Sequence, residues 1–241
     1  MNMKPNSKIL VTGGASGIGL GIVEYLLKDG HTVIVCGRRE DVLKDLTAKH
    51  PAVITKKTDL ENVADREALY KWIATEHKDL NVLVNNAGIQ NWMSPADDNF
   101  FTRAQQEIAI NIEAPLHLIS LFIKLPALDT IMNVTSGLAF SPFAKVPVYS
   151  ATKAFFRSFT ISLRYLLKDR NINVVEIVPP ALKTDLGGKG LHDHAPEVGP
   201  FVESIFEQLK QGKNELTYGT SADRAKIGAE EFKKEFSKLH P

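Results

Sequence analysis

The sequence has a single cysteine, almost no net charge and no long run of apolar residues. Cys36 is the only thiol in 241 residues, so no internal disulfide can form, which is typical of a reducing compartment. The formal net charge of +1 at pH 7 lacks the basic excess of a nucleic-acid or anionic-membrane surface. The apolar run at residues 9–11 is far too short for a signal peptide or a membrane span. We therefore expect a cytoplasmic protein that binds neither nucleic acid nor membrane.

Length and composition are those of a globular protein with a full core. Hydrophobic residues make up 44% of the chain and charged residues 24%, which is ordinary for a folded domain. A chain of 241 residues fits one large domain. Because no repeat, low-complexity segment or internal linker divides it, we expect a single domain over residues 1–241.

The first forty residues carry the pattern of a nucleotide-binding unit. Residues 8–12 predict a buried strand, followed by an amphipathic helix and a second strand at residues 32–36. Gly13, Gly17 and Gly19 stand between the first strand and the helix. Glycines let a pyrophosphate approach the backbone, and the helix N-terminus offers free N–H groups. The competing interpretation is a strand-to-helix turn that needs glycine only for tight packing.

Strands and helices alternate along the rest of the chain, which is typical of a parallel sheet covered by helices on both faces. The sequence thus predicts the α/β class, as a single doubly wound Rossmann domain with about seven strands. Further strands are expected at 52–56, 80–85, 128–135, 173–178 and 215–218. Further helices are expected at 40–50, 62–77, 99–125, 149–168 and 201–210, then a charged terminal helix. A glycine-rich substrate loop at 185–200 would act either as a lid or as a flexible connection.

The end of the second predicted strand favours NADP over NAD. An acidic residue there would hold the ribose 2′-hydroxyl of NAD, but the chain has Gly37, Arg38 and Arg39. Guanidinium groups suit a 2′-phosphate, although two solvated arginines at a helix start would give the same pattern. Asp59, after the third strand, either accepts a hydrogen bond from the adenine amino group or serves a local turn.

Asparagines stand at two further places of interest. Asn85 and Asn86 end the fourth strand just before Gly88, where amides can tie neighbouring strands together beneath a ligand. Asn111 lies in the predicted long helix, four residues before Pro115. Proline has no N–H to give the carbonyl of Asn111. That carbonyl therefore either holds an ordered water beside a site or marks an ordinary proline kink.

Tyr149 and Lys153 form the centre of the candidate site. Four residues apart, they lie one above the other on a helix face. An ammonium beside a phenol favours the phenolate, which makes a tyrosine a better proton donor and acceptor near neutral pH. Taken alone, the pair fits an exposed helical turn. Ser136, Asn111 and the glycine loop at the same sheet edge favour a proton-transfer site instead.

Taken together, residues 8–185 resemble the short-chain dehydrogenase/reductase family in its compact single-domain form. The resemblance rests on the glycine loop, on Asn-Asn-Ala-Gly at residues 85–88, and on four positions that match the catalytic tetrad of the family. Those positions are Asn111, Ser136, Tyr149 and Lys153. The Pro179-Pro180 pair resembles a subgroup labelled as oxidoreductases linked to D-alanine esterification. Pro180 replaces the usual glycine of the family and cannot donate a backbone N–H to a cofactor.

The resemblance implies an NADPH-dependent oxidoreductase that transfers hydride between the nicotinamide and a carbonyl or secondary alcohol. Tyr149 would be the general acid and base, Ser136 would orient the substrate oxygen, Lys153 would bind the ribose hydroxyls, and Asn111 would hold a relay water. The residues expected at the cofactor are Gly13, Ser16, Gly17, Ile18, Gly19, Arg38, Arg39, Asp59, Leu60, Asn86, Ala87, Gly88, Tyr149, Lys153, Pro179, Leu182 and Thr184.

The substrate is less well defined. The side chains expected to face it are Gln90, Trp92, Leu138, Phe140, Phe143 and Leu186, which suit an apolar or aromatic carbonyl compound. His192 and His194 have no third ligand nearby, so we expect no metal. The alternatives are a non-catalytic dinucleotide sensor or scaffold, and epimerisation or dehydration by transient oxidation. Broad surfaces on the 99–125 and 149–168 helices lead us to expect a homodimer or homotetramer.

Overall fold

The computed structural model describes residues 3–228 and 231. Its strands are β1 (Lys8–Thr12), β2 (Thr32–Gly37), β3 (Ile54–Lys57), β4 (Val82–Asn85), β5 (Thr130–Val134), β6 (Asn173–Val178) and β7 (Glu215–Thr217). Its helices are α1 (Gly17–Lys28), α2 (Glu40–Lys49), α3 (Val63–Glu76), α4 (Phe100–Ile108), α5 (Ala114–Phe122), α6 (Pro147–Leu166), α7 (Val198–Lys210) and α8 (Thr220–Arg224). The predicted terminal helix falls on residues outside the described part.

The seven strands are all parallel and lie in the order β3-β2-β1-β4-β5-β6-β7. Helices cover both faces of this sheet. Ile9 and Val11 of β1 pack in one core with α1, α2 and α7. Leu10 between them faces the other way and packs with α3, α5 and α6. Parallel strands buried on both faces need apolar side chains on both, so the predicted doubly wound α/β fold is confirmed.

The chain reverses its direction of travel along the sheet between β1 and β4. Val11 pairs with Val84 across that boundary, and Asn85 pairs with Asn133 of β5. In open α/β sheets the crevice for a ligand lies outside the carboxyl ends of the strands at such a reversal. The loops that follow β1, β4 and β5 therefore meet at one edge of the sheet.

Three strands, β3, β4 and β5, begin two residues later than predicted. Before β4 and β5 the apolar residues belong to turns. The N–H of Leu80 donates to the carbonyl of His77 at 2.9 Å, and that of Leu128 donates to Leu125 at 3.2 Å. Both leucines are buried, which explains their apolar character. Their N–H groups are used by turns at the ends of α3 and α5 and are not available to the sheet.

The predicted long helix at 99–125 is interrupted near its middle. A π-helical turn, Ala109–Glu113, joins α4 to α5, and the N–H of Ala114 reaches the carbonyl of Ala109. Pro115 cannot supply the N–H that an α-helix would give to the carbonyl of Asn111. The interruption falls at the Asn111–Pro115 spacing, and it takes the form of a π turn, a feature that often lies at functional sites.

Candidate active site

The loop after β1 has two positions at which only glycine fits. Gly13 has a φ of +64°, and a Cβ there would lie 3.0 Å from the Cα of Ala87. A Cβ on Gly19 would lie 2.4 Å from the carbonyl oxygen of Gly13 and 2.5 Å from Nδ2 of Asn86. Both glycines therefore serve close packing against the loop after β4, as in the competing interpretation. The start of α1 beside them offers N–H groups and a helix dipole that suit a phosphate group.

Asn86 and Thr12 fasten this loop to the end of β4. Nδ2 of Asn86 donates to the carbonyls of Thr12 and Gly13, at 2.9 and 3.2 Å. The Thr12 hydroxyl oxygen accepts from the N–H groups of Asn86 and Ala87, both at 3.0 Å. The amides after β4 thus tie neighbouring loops together, as the sequence suggests. The bonds hold the glycine loop at the sheet edge where the other predicted site residues lie.

The arginines after β2 lie at the rim of the same crevice. Arg38 and Arg39 are exposed, and Nη2 of Arg39 lies 3.5 Å from the hydroxyl of Ser16 in the glycine loop. Asp59 accepts a hydrogen bond from the N–H of Glu61 at 3.1 Å, so its carboxylate serves the local turn. A guanidinium and a hydroxyl that approach each other can both bind a phosphate oxygen.

Residues after β6 close the crevice from the other side. The carbonyl of Pro179 accepts from the N–H of Gly137 at 3.0 Å, and Leu182 is buried. A Cβ on Gly17 would lie 3.3 Å from Cγ2 of Thr184, which places this threonine against the glycine loop. The structure therefore brings the predicted residues of β1, β4 and β6 to a common edge.

Tyr149 and Lys153 lie on the buried face of α6, so the alternative of an exposed helical turn is wrong. Their side chains are 5% exposed each, and Nζ of Lys153 lies 5.6 Å from the centre of the Tyr149 ring. Nζ also donates to the carbonyl of Val134 at the end of β5, at 2.9 Å. Ser136 follows β5, and its Oγ accepts from the N–H of Leu138 at 3.0 Å, which leaves its own proton for another acceptor.

The pKa of Tyr149 differs from the sequence-based expectation. Burial raises the pKa of the phenol above its usual value, a hydrogen bond with Ser136 lowers it in part, and the charge of Glu107 raises it further. Burial also lowers the pKa of Lys153 to about 8. In the protein alone, the cost of burying the phenolate thus acts against the lower pKa expected from Lys153.

The side chain of Asn111 points to the loop after β4. Its Oδ1 accepts from the N–H of Ile89 and its Nδ2 donates to the carbonyl of the same residue, both at 2.9 Å. A Cβ on Gly88 would lie 3.2 Å from Oδ1 of Asn111 and 3.6 Å from Nζ of Lys153. These distances place Asn111 and Lys153 side by side beneath Gly88, at the end of β4.

A cavity of about 10 Å³ lies beneath Lys153, which is room for one water molecule. Its polar lining comes from Thr12, Asn85, Asn111 and Lys153, and Pro115 forms part of its wall. Oδ1 of Asn85 is buried and has no hydrogen-bond partner among the described residues. An orphaned acceptor that lines a cavity of this size is the usual partner of a buried water.

The two loops predicted to form the substrate side touch each other. A Cβ on Gly187 would lie 2.7 Å from Oε1 of Gln90 and 3.5 Å from Nε1 of Trp92, so the predicted 185–200 loop packs against the loop after β4. The ring of Trp92 meets Phe143 edge-on at 5.8 Å, and Nζ of Lys145 lies 5.6 Å from the centre of the Trp92 ring. The predicted lining residues Gln90, Trp92 and Phe143 are thus together.

Sequence reasoning missed Glu107 of α4. This side chain is fully buried, one carboxylate oxygen accepts from the N–H of Asn91, and its charge acts on Tyr149. Burial raises its pKa to about 7. Its position four residues before Asn111, on the same helix face, is the signal that could have found it.

Two other features bear on the kind of site. Within the described residues, no group of three or more His, Cys, Asp or Glu side chains is placed to hold a metal ion. No helix in that part of the chain is long and apolar enough to cross a membrane.

Comparison with known proteins shows what the chain resembles. Residues 7–194 match the family model described as short chain dehydrogenase. The chain is 41% identical over 223 residues to the uncharacterized oxidoreductase DltE of Bacillus subtilis, covering 88% of each chain. It is 32% identical over 179 residues to the NADP-dependent 3-hydroxy acid dehydrogenase YdfG of Salmonella typhi, covering 71% of each. A short chain dehydrogenase of Burkholderia cenocepacia, solved with NADP, has the same fold. Its TM-score is 0.84 at 24% identity, with coverage of 99% of this chain and 100% of that one.

Proposed function

This chain belongs to the short-chain dehydrogenase family, as an NAD(P)-dependent oxidoreductase with a DltE-like sequence, and from that premise we propose a specific reaction. The protein is an NADPH-dependent reductase of a carbonyl compound, with Tyr149 as the proton donor. The observation that carries the proposal is the meeting of Tyr149, Lys153 and Ser136 at the sheet edge that also holds the glycine loop.

The crevice residues fit a dinucleotide. Gly13 and Gly19 let the loop pack closely against Ala87 and Asn86, and the N–H groups at the start of α1 beside it suit a pyrophosphate. Arg39 and Ser16, whose side chains approach to 3.5 Å, suit a 2′-phosphate. When bound, NADPH supplies the hydride. The preference for NADP over NAD rests on Arg38 and Arg39 and on the lack of a carboxylate at the end of β2.

Proton transfer follows from the protonation state of Tyr149. Because its pKa is raised, the phenol is protonated at neutral pH, which is the form that donates a proton to a carbonyl oxygen. Ser136, whose Oγ accepts the Leu138 N–H, donates its own O–H to that oxygen. The carbonyl carbon gains a hydride and the oxygen gains the Tyr149 proton, so the product is an alcohol.

Tyr149 must regain its proton from solvent after each turnover. One N–H of the Lys153 ammonium donates to the carbonyl of Val134. The other two N–H groups can donate to the ribose hydroxyls and to a water. The cavity beneath Lys153 would hold that water between the ammonium, Asn85 and Asn111. This arrangement supports a relay from Lys153 towards the π turn of Asn111.

The substrate side supports a carbonyl compound with an apolar or aromatic part. Trp92 and Phe143 form an aromatic wall, and Gln90 adds one polar group beside the 185–200 loop. The relative YdfG is by its name a 3-hydroxy acid dehydrogenase, which adds small 3-hydroxy and 3-oxo acids to the candidates. Lys145 beside Trp92 would suit the carboxylate of such an acid.

The protein is proposed to be cytoplasmic and to associate with further copies of itself. The outer face of α6 leaves Phe155 44%, Tyr165 69% and Leu166 69% exposed, and Phe101 of α4 is 70% exposed. Apolar patches of this kind often mark interfaces between proteins, which favours a homodimer or homotetramer through these helices.

The experiment is a titration with NADPH and NADH followed by a screen of aryl ketones, aldehydes and 3-oxo acids. We expect NADPH to bind more tightly and its absorbance to fall in step with alcohol formation. A flat absorbance trace across the panel, with cofactor bound, would refute the reductase and favour a dinucleotide sensor. Turnover of substrate without net loss of NADPH would instead indicate epimerisation or dehydration.

A further inference from the structure

Three side chains on one face of α4 and the π turn hold the backbone of the loop after β4. Arg103 donates from Nη2 to the carbonyl of Trp92 at 2.9 Å. Glu107 accepts the N–H of Asn91. Asn111 binds both backbone groups of Ile89. The three are spaced four residues apart, the spacing that aligns side chains along a helix face.

The loop held in this way carries part of the substrate side. Gln90 and Trp92 stand within it, and both approach Gly187 of the 185–200 loop. Met93 continues the contact, because its N–H donates to the carbonyl of Lys145 at 3.2 Å. A shift of residues 89–92 would therefore move two side chains of the substrate site together.

The carboxyl of Glu107 is only half satisfied. Its Oε2 is buried and has no hydrogen-bond partner among the described residues, whereas its Oε1 is used by Asn91. A buried carboxyl with an unpaired oxygen costs free energy, so a site that retains one calls for an explanation beyond stability. Burial raises the pKa of this carboxyl, which the Asn91 backbone and side chain and then Arg103 of its own helix lower in part, and its charge acts in turn on Tyr149 of α6.

We infer that Glu107 is a positioning residue of the active site: its buried carboxyl fixes the loop at residues 89–92 and, through this loop, Gln90 and Trp92 on the substrate side. The assignment of those two side chains to the substrate side rests on the proposed function.

Two substitutions separate the hydrogen bond of Glu107 from its charge. Glu107→Gln keeps an oxygen that can accept the Asn91 N–H and removes the charge. Glu107→Leu removes both with little change in volume. Glu176→Gln is the matched control, because Glu176 is also fully buried but is bound by Arg157 and Thr135 instead of the loop.

Hydrogen exchange of residues 89–92 tests the loop without any substrate. We expect Glu107→Leu to speed exchange of the Asn91 amide about tenfold, the value of one hydrogen bond to a charged group. Glu107→Gln and Glu176→Gln should leave this exchange near that of the unmodified protein. Unchanged exchange in Glu107→Leu would refute the positioning of the loop.

The kinetics of carbonyl reduction test the effect of the loop on the substrate side. With the best carbonyl compound from the screen, we expect Glu107→Leu to raise the KM of that compound about tenfold and to leave the KM of NADPH unchanged. Glu107→Gln and Glu176→Gln should leave both KM values near those of the unmodified protein. An unchanged KM of the carbonyl compound in Glu107→Leu would refute the positioning role. A protein without any turnover would refute the proposed function, while exchange would still decide the loop.

Discussion

Glu107 in α4 and Glu176 in β6 are both fully buried, with surroundings that differ. Glu176 is bound by Nη1 of Arg157 at 2.5 Å and by the Thr135 hydroxyl at 2.8 Å, so both of its oxygens have partners. Glu107 has a partner for one oxygen only. The buried charge of Glu176 is thus paired within the fold. The region around Glu107 and Tyr149 instead keeps buried polar groups that can take part in a reaction.

The same helix contributes to both regions. Tyr149, Lys153 and Arg157 follow one another at intervals of four on α6, yet only the first two face the crevice. Arg157 turns to Glu176 and Glu215 and covers the ring of Phe140 at 4.0 Å. The comparison therefore predicts that substitutions in one region change activity and that those in the other change stability.

The largest effect is expected from Tyr149→Phe, which removes the proton donor and keeps the ring. We expect the rate of carbonyl reduction to fall about 10³-fold, with NADPH affinity and melting temperature close to those of the unmodified protein. Steady-state kinetics, fluorescence titration and calorimetry measure the three quantities. A large loss of melting temperature would show that the hydroxyl is needed for the fold and would break the division between the regions.

Glu176→Ala should lower the stability of the protein and leave its activity nearly unchanged. It leaves the guanidinium of Arg157, which is 20% exposed, without its buried partner. We expect the free energy of unfolding to fall by about 3 kcal/mol, as measured by urea denaturation. The rate per folded molecule should stay within about twofold of the unmodified protein. A much lower rate with unchanged stability would place Glu176 in the catalytic region.

The pH dependence of stability should distinguish the two carboxyls as well. Burial raises the pKa of Glu107 from 4.5 to about 7, so the folded chain holds this proton more tightly than the unfolded chain does. Stability from this group is present below pH 4.5 and is lost as the pH rises to about 7. Glu107→Gln should lack that loss, so its stability relative to the unmodified protein should rise by about 3 kcal/mol between pH 4.5 and 8. Equal pH dependence of urea denaturation in both proteins would contradict the raised pKa.

The smallest effect is expected at the rim of the crevice. Arg39→Ala should weaken NADPH binding about tenfold and leave NADH binding unchanged, because only NADPH carries the 2′-phosphate. Lys57→Ala is a suitable control, since Lys57 lies nearby but pairs with Glu40. An equal loss of affinity for NADPH and NADH would contradict the proposal that Arg39 binds the 2′-phosphate.

Local spacing made most of the fold and part of the site predictable from sequence. The glycine loop and the Tyr149–Lys153 pair each depend on residues a few positions apart, and the alternation of strands and helices dictates the sheet. Pro115 indicated that the helix is interrupted, but not that the interruption is a π turn. The strand starts at 80 and 128 were misplaced because buried leucines in turns look like strand residues.

Features that depend on distant contacts were not predictable. The pKa of Tyr149 is raised because tertiary packing buries the phenol, and no pattern around Tyr149 reports burial. Glu107 reads as an ordinary helical glutamate until the loop at 89–92 folds back onto α4. Only its spacing from Asn111 connects it to the site.

Transfer of deuterium into the product from NADPH that carries deuterium at both C4 positions tests the role of Tyr149 most directly, with the unmodified protein and Tyr149→Phe side by side. We predict that the unmodified protein places one deuterium on the carbon that becomes the alcohol carbon. Tyr149→Phe, with cofactor bound equally well, should form almost no labelled alcohol. Labelled alcohol formed by Tyr149→Phe at the rate of the unmodified protein would contradict the central role of this tyrosine.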